Sequence, residues 1–230
     1  MSKTSEMEIE VFGRKVPIAL IEASKLNLDG GIMNYYPPSL RGMEFRNLLR
    51  MAIKKEVRDF YIPVMDPSVD EEGKIFYEAG NKPAIGYSYS WWERKAKEFC
   101  PEHRSRLGTK YERMLFLGIL ITKLVESGCD LIDAWKCIFV DSSKLGHYST
   151  SKYATHYYLE TTGSRRVCDF YDLGNTYKIL AKDEDTSNYW LAGGSYNDFG
   201  YHFPISSLLS CEYNIIGADA NNVGWLVFEK

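Results

Sequence analysis

Histidines, cysteines and clustered carboxylates are the side chains of this 230-residue sequence that could do chemistry, and their spacing limits what that chemistry is. The four histidines are His103, His147, His156 and His202. His147 and His156 stand nine apart, which matches no helical metal pair. A three-histidine iron site is the sharpest use for this set, and satisfied or exposed imidazoles are the plain one. The five cysteines, Cys100, Cys129, Cys137, Cys168 and Cys211, are odd in number and widely spaced, a poor disulfide framework. No Cys-x-x-Cys pair exists, which speaks against a thiolate zinc site, so reduced and mostly buried thiols are expected. Asp183-Glu184-Asp185 reads either as a solvated acidic loop or as oxygen ligands for a structural calcium ion. There is no Gly-x-Ser-x-Gly elbow and no His-Glu-x-x-His helix. A glycine-rich phosphate loop is missing too. The expectation is a chain with no catalytic residue, no metal site and no cofactor.

What the sequence does offer is aromatic contact area. Seventeen tyrosines raise Phe, Trp and Tyr together to 14%. Tyr189, Trp190, Tyr196, Phe199, Tyr201, His202 and Phe203 crowd together near the C-terminus. Exposed Tyr and Phe give large contact area with few rotatable bonds, as in antibody loops, while some of the group, such as Trp190, belong in a core. The formal net charge of −3 argues against non-specific nucleic-acid binding. Between Lys182 and Lys230 there is no Lys or Arg, so a phosphate backbone is a poor ligand for this part of the chain. The longest apolar run, Met114 to Leu120, is far short of the roughly 20 residues of a membrane span, so no membrane insertion is expected. The polar start Met1-Ser2-Lys3-Thr4-Ser5-Glu6 lacks the apolar core of a secretory signal, and localisation stays open between a virion and the cytoplasm before display.

The elements that would position such a surface follow from local pattern. Residues 8–20 read as a strand pair around Gly13. Leu40, Met43, Leu48, Met51, Ala52 and Val57 recur at helical steps, which predicts a helix over about 40–58 after Pro37-Pro38. Pro63, Pro67 and Gly73 predict an irregular connection. A helix over Ser90 to Phe99 should stop at Pro101. Thr109-Lys110-Tyr111-Glu112 is a capping box that starts a helix running to Val125, with Gly128 placed to end it. A short amphipathic piece, Leu131 to Val140, follows. From about 146 the texture turns to Tyr, Ser, Thr, Gly and Asn, which predicts short strands and long loops. Val223-Gly224-Trp225-Leu226-Val227-Phe228 reads as one closing strand. Helices first and strands last predict an α+β fold, with helices packed on short antiparallel strands and long loops.

Five segments in order resemble one known family. Tyr89-Ser90-Trp91-Trp92-Glu93-Arg94-Lys95-Ala96-Lys97-Glu98-Phe99-Cys100 is similar to the S-W-x-x-A-x-x-F/Y-C helix of the formylglycine-generating-enzyme (sulfatase-modifying-factor) family. Arg106-Leu107-Gly108-Thr109-Lys110-Tyr111-Glu112 resembles its R-L-P-T-E-A-E-W-E segment, with Gly108 where proline is usual. Phe170-Tyr171-Asp172-Leu173-Gly174-Asn175-Thr176-Tyr177-Lys178-Ile179 resembles L-Y-D-M-x-G-N-V-W-E-W, one residue shorter. Gly193-Gly194-Ser195-Tyr196-Asn197-Asp198 resembles G-G-S-W-N-D, and Gly224-Trp225-Leu226-Val227-Phe228 resembles G-F-R-L-V. The resemblance implies a C-type-lectin-like fold, read here as a single domain over residues 1–230. In it Asp172, Gly174 and Asn175 would build a tight turn, and Gly193-Gly194 would let the backbone turn into an exposed loop.

The family's enzymes bind copper through two cysteines soon after Gly-Gly-Ser. Here Tyr196-Asn197-Asp198-Phe199-Gly200 follows instead, and the only later thiol is Cys211, so the catalytic carry-over fails. The same fold serves the variable proteins of diversity-generating retroelements, which this chain resembles in its Gly-Gly-Ser, its C-terminal segment and its ending. Their variation at template adenines, largely in Asn codons, reaches a set of residues that leaves out Lys, Glu, Met, Trp and Gln. Those five types make up 47 of the 230 residues, so proportion predicts about six in Ser195 to Asn222, and the segment holds one, Glu212. A polar-aromatic loop of chance composition is the plain alternative.

The resulting expectation is a ligand-binding protein, not an enzyme, whose C-terminal aromatic face (variable region about 195–222) is diversified by a retroelement. Its site residues would be Tyr196, Asp198, Phe199, Tyr201, His202, Ser206, Leu209, Tyr213, Asn214 and Ile215. They would be displayed by a chain that leaves one strand and returns to its neighbour. The partner would be a protein or a glycan, not a nucleic acid. Glycan binding through calcium would need Glu-Pro-Asn or Gln-Pro-Asp, and neither occurs. The alternatives are a metal-dependent oxidase of the formylglycine-generating type and an invariant structural module of a virus particle.

Overall fold

The computed structural model describes residues 7–23, 26, 40–134, 162–163, 166–168, 170–171, 178–186, 189–192 and 222–230. The chain opens with a hairpin, β1 (Met7–Val11) and β2 (Arg14–Ile21), as its alternating pattern predicts. The two turn residues, Phe12 and Gly13, both have positive φ (54° and 75°), as a two-residue turn matched to strand twist requires. Helix α1 (Leu40–Lys54) is followed by β3 (Phe60–Pro63), the short pair β4 (Ser68–Val69) and β5 (Ile75–Phe76), and α2 (Tyr89–Phe99). Then come β6 (Arg106–Leu107) and α3 (Lys110–Glu126). The C-terminal part holds β7 (Arg166–Val167), β8 (Phe170–Tyr171), β9 (Lys178–Lys182), β10 (Tyr189–Ala192), β11 (Asn222–Gly224) and β12 (Leu226–Glu229). The class is α+β, with largely antiparallel sheets.

Local signals account for the helix ends. The Thr109 hydroxyl accepts the Glu112 N–H and the Glu112 carboxylate accepts the Thr109 N–H, so the predicted capping box is formed. Past α3, Gly128 (φ 95°) donates to Val125 O and Cys129 donates to Leu124 O, a Schellman ending. Asp130 then caps a new helical start, its Oδ1 accepting the Ile132 N–H. The amphipathic piece expected over Leu131 to Val140 is helical over 131–134, and the rest lies outside the described residues. Helix α2 begins at Tyr89, one residue before the predicted start, with Ser88 as its cap, and Pro101 opens a single 3₁₀ turn beyond it. Helix α1 stops at Lys54, short of the predicted 58, because Glu56 turns left-handed (φ 50°).

The main sheet runs β1-β2-β3-β12-β6 and is covered on both faces. Alternate residues of each strand point opposite ways. Ala19, Ile21, Phe60, Ile62 and Val227 join the core under α1 and α3. Val16, Ile18, Leu226 and Phe228 join the core under α2, with Trp92, Ala96 and Phe99 as the helix's buried stripe. Helix α3 is buried all round from Lys110 to Ile121, as a central helix should be.

Two expectations are corrected. The irregular connection around Pro63 contains β3, a central strand paired with both β2 and β12. Its Phe-Tyr-Ile-Pro run lacks strand alternation because both faces are covered. The closing run from Val223 is two strands in two sheets. β11 pairs parallel with β9, in a three-stranded sheet β10-β9-β11, whereas β12 pairs antiparallel with β3 and β6. Trp225 is the crossover: its N–H donates to Leu180 O and its carbonyl accepts from Gly108 N–H.

Candidate functional site

The three-stranded sheet frames the expected binding segment. β10 runs antiparallel to β9 and β11 runs parallel to it, on its other side. Ala192, the last residue of β10, is opposite Ile179, and Asn222, the first of β11, is opposite Lys178. The chain between them therefore leaves and re-enters at one end of this sheet. The two anchor strands are not neighbours as expected: β9 lies between them, so they stand about 10 Å apart, two strand spacings. Ile179, Trp190 and Val223, from all three strands, are buried in the core beneath α3, which holds both anchors in place. Tyr196, Asp198, Phe199, Tyr201, His202, Ser206, Leu209, Tyr213, Asn214 and Ile215 lie outside the described residues, as do Gly193, Gly194, Asp172, Gly174 and Asn175.

Gly108 joins this sheet to the first. Its N–H donates to Trp225 O at 2.8 Å, and its carbonyl accepts the Lys182 N–H at 2.9 Å. A Cβ on Gly108 would fall 2.3 Å from Cε3 of Trp225. The proline usual at this place in the resembled motif could neither donate that bond nor fit. Beside it, Arg106 grips Glu112 with both nitrogens, at 2.6 and 2.9 Å.

The acidic run is solvated in part: Glu184 and Asp185 are exposed, whereas Asp183 is buried, and both aspartates are already paired with lysines. Asp183 is buried, and its Oδ1 accepts from Lys110 Nζ at 2.7 Å; Lys110 is itself 5% exposed. Asp185 accepts from Lys110 Nζ at 3.0 Å and from the Tyr111 hydroxyl, and pairs with Lys55. A buried carboxylate needs a cation close by, and α3 supplies it from a distant part of the sequence. Tyr111 first, then Lys110, hold the Asp185 carboxyl below the usual carboxylate range. Burial works against the Lys110 ammonium, but its hydrogen bonds to Asp183 and Asp185 outweigh that and raise its pKa. Burial and the Asp185 bond push the Tyr111 phenol up to about 12. All three groups are thus held in one protonation state at neutral pH, and together they clamp α3 to the β9–β10 turn.

A second aromatic surface joins Tyr189 to three rings that composition did not single out, Tyr87, Tyr89 and Trp91. Tyr87 stacks on Trp91 with centroids 4.0 Å apart, and Tyr89 stacks on Tyr189 across to β10. All four rings are half-buried. The signal that could have found them is the alternation Tyr87-x-Tyr89-x-Trp91 at a helix start. Burial, then Glu93, pushes the Tyr89 phenol up to about 12. Trp190 is fully buried, as expected of a core member of the group.

Cys100, Cys129 and Cys168 are free thiols, one buried and two half-buried. His103 is exposed on the 3₁₀ turn. Among the described residues no group of three His, Cys, Asp or Glu side chains is placed to hold a metal ion. No helix of the described residues is long and apolar enough to cross a membrane. No protein-family model, curated protein or solved structure matches this chain.

Proposed function

We propose that this chain is a ligand-binding protein with a C-type-lectin-like fold, whose segment of about 195–222 is diversified by a retroelement and contacts a protein or a glycan. The observation that supports it is the pairing of composition with anchorage. The segment that avoids Lys, Met, Trp and Gln, and nearly avoids Glu, starts and ends on two strands of one sheet with buried neighbours. A segment whose side chains stand outside the packed core can change them without disturbing that core. Variation inside packed structure would cost about 2–5 kcal/mol for each large-to-small change. In this reading the protein binds and does not catalyse.

The nucleic acid flanking the coding sequence tests the proposal. A nearby copy of the C-terminal coding segment, differing mainly at adenines, together with a reverse transcriptase gene, is the expected finding. An isolated gene without either would leave an ordinary loop. Elemental analysis of the purified protein addresses the oxidase alternative: one copper or iron per chain would favour it over binding.

A further inference from the structure

A cavity of about 20 Å³ lies beside the Trp225 crossover, and three polar residues are among those that line it. Arg113 and Tyr77 both line it, and they are 4% and 2% exposed. The Arg113 guanidinium lies 5.0 Å from the centroid of Phe116 and 5.3 Å from that of Trp225. These aromatic contacts satisfy its flat faces. Its hydrogen-bonding edge is another matter: among the described residues Arg113 Nε has no hydrogen-bond partner, and neither does Tyr77 Oη. Asp66, 9% exposed, also lines the cavity and acts electrostatically on both.

Buried polar atoms left unpaired are costly and rare, so two on one cavity point to a ligand. Arg113 Nε–H can only donate, the Tyr77 hydroxyl can donate or accept, and an ionised Asp66 can only accept. The group that answers all three must carry both lone pairs and hydrogens. An anion would meet the Asp66 carboxylate, and a cation would meet Arg113. The volume suits one water, which needs roughly 10–15 Å³ of such space. We infer that this cavity is a binding site for a single ordered water that accepts from Arg113 Nε, bonds Tyr77 Oη and donates to Asp66. The bridge links α3 to the chain following β5, beside the residue at which the C-terminus passes from one sheet to the other.

A crystal structure of the full chain, at a resolution that shows ordered water, tests the site. One solvent peak within about 3.2 Å of both Arg113 Nε and Tyr77 Oη is expected. No peak there overturns the inference, and so does an anomalous signal there after exchange into bromide, which would mean a halide. The Tyr77→Phe variant gives a second measurement. With the water in place the hydroxyl is partnered, so its removal should lower the unfolding midpoint. A raised midpoint would show that the hydroxyl was an unpaired burden in a dry cavity.

Discussion

Gly224 lies against the face of the Trp92 indole: a Cβ on Gly224 would fall 2.4 Å from both Cδ2 and Cε3 of that ring. Trp92 is fully buried on α2, and Gly224 ends β11 just before the crossover. The two sequence motifs that carry these residues, one helical and one C-terminal, thus meet face to face. The absence of a side chain at 224 is what lets the helix sit on the strand.

Gly224→Ala should accordingly destabilise the fold by about 1–3 kcal/mol, the usual range for overpacking a close-packed interior. Urea unfolding followed by tryptophan fluorescence would show a lower midpoint at unchanged slope. A midpoint equal to wild type would mean that α2 and β11 are not in contact.

Lys110→Met removes the cation that lies between Asp183 and Asp185. It leaves Asp183 buried and uncompensated, a loss of about 3–5 kcal/mol. Adding Asp183→Asn to that variant should restore part of the loss, because the stranded charge is then gone. Equal stability of the single and double variants would show that Asp183 is not charged at its site.

Acid should loosen the same clamp. The Asp185 carboxyl has its pKa lowered by folding, so its contribution is present above the unfolded value of about 3.9. That contribution is lost as pH falls through the lower folded value. Asp185→Asn should therefore flatten the fall in stability below about pH 4, and leave the pH dependence near neutrality alone. Unfolding midpoints of both proteins from pH 2 to 7 would show whether the two acid limbs diverge.

Glu112 has two tasks, as the acceptor of the capping box and as the partner of Arg106. Thr109→Ala should cost about 1 kcal/mol, as loss of an N-cap does. Glu112→Ala should cost more, and Glu112→Gln should fall between them, since a glutamine can still accept the Thr109 N–H. Thermal denaturation of the three variants gives the order, and any other order would mean that the Arg106 pair contributes nothing.

The proposed binding segment should be separable from the scaffold. Tyr201→Ala and Phe199→Ala are expected to leave the melting temperature nearly unchanged. Asn175 and Tyr171, in a motif resembling internal scaffold, should lose about 1–3 kcal/mol when substituted, as for a lost buried hydrogen bond. Equal destabilisation by both sets would put the aromatic segment in the core.

The features that the sequence determined by itself are those made by residues close together in the chain. The Thr109-x-x-Glu112 box, the Gly13 turn, the stop at Pro101 and the glycine after α3 depend on backbone freedom and on side chains three or four residues away. Each is found where the pattern placed it. The end of α1 was missed because a left-handed Glu56 has no compositional signature.

Tertiary structure alone decided the pairings. Val223 to Phe228 reads as one strand, but Gly108 and Leu180, remote in sequence, claim the backbone of Trp225 and split the run between two sheets. Asp183-Glu184-Asp185 has the composition of a solvated loop, and only the approach of Lys110 makes burial of Asp183 tolerable. Phe60 to Pro63 shows no alternation, because helices cover both faces of the sheet it crosses. In each case the deciding energy is a contact between distant segments. Local pattern carries no record of which distant group will be there.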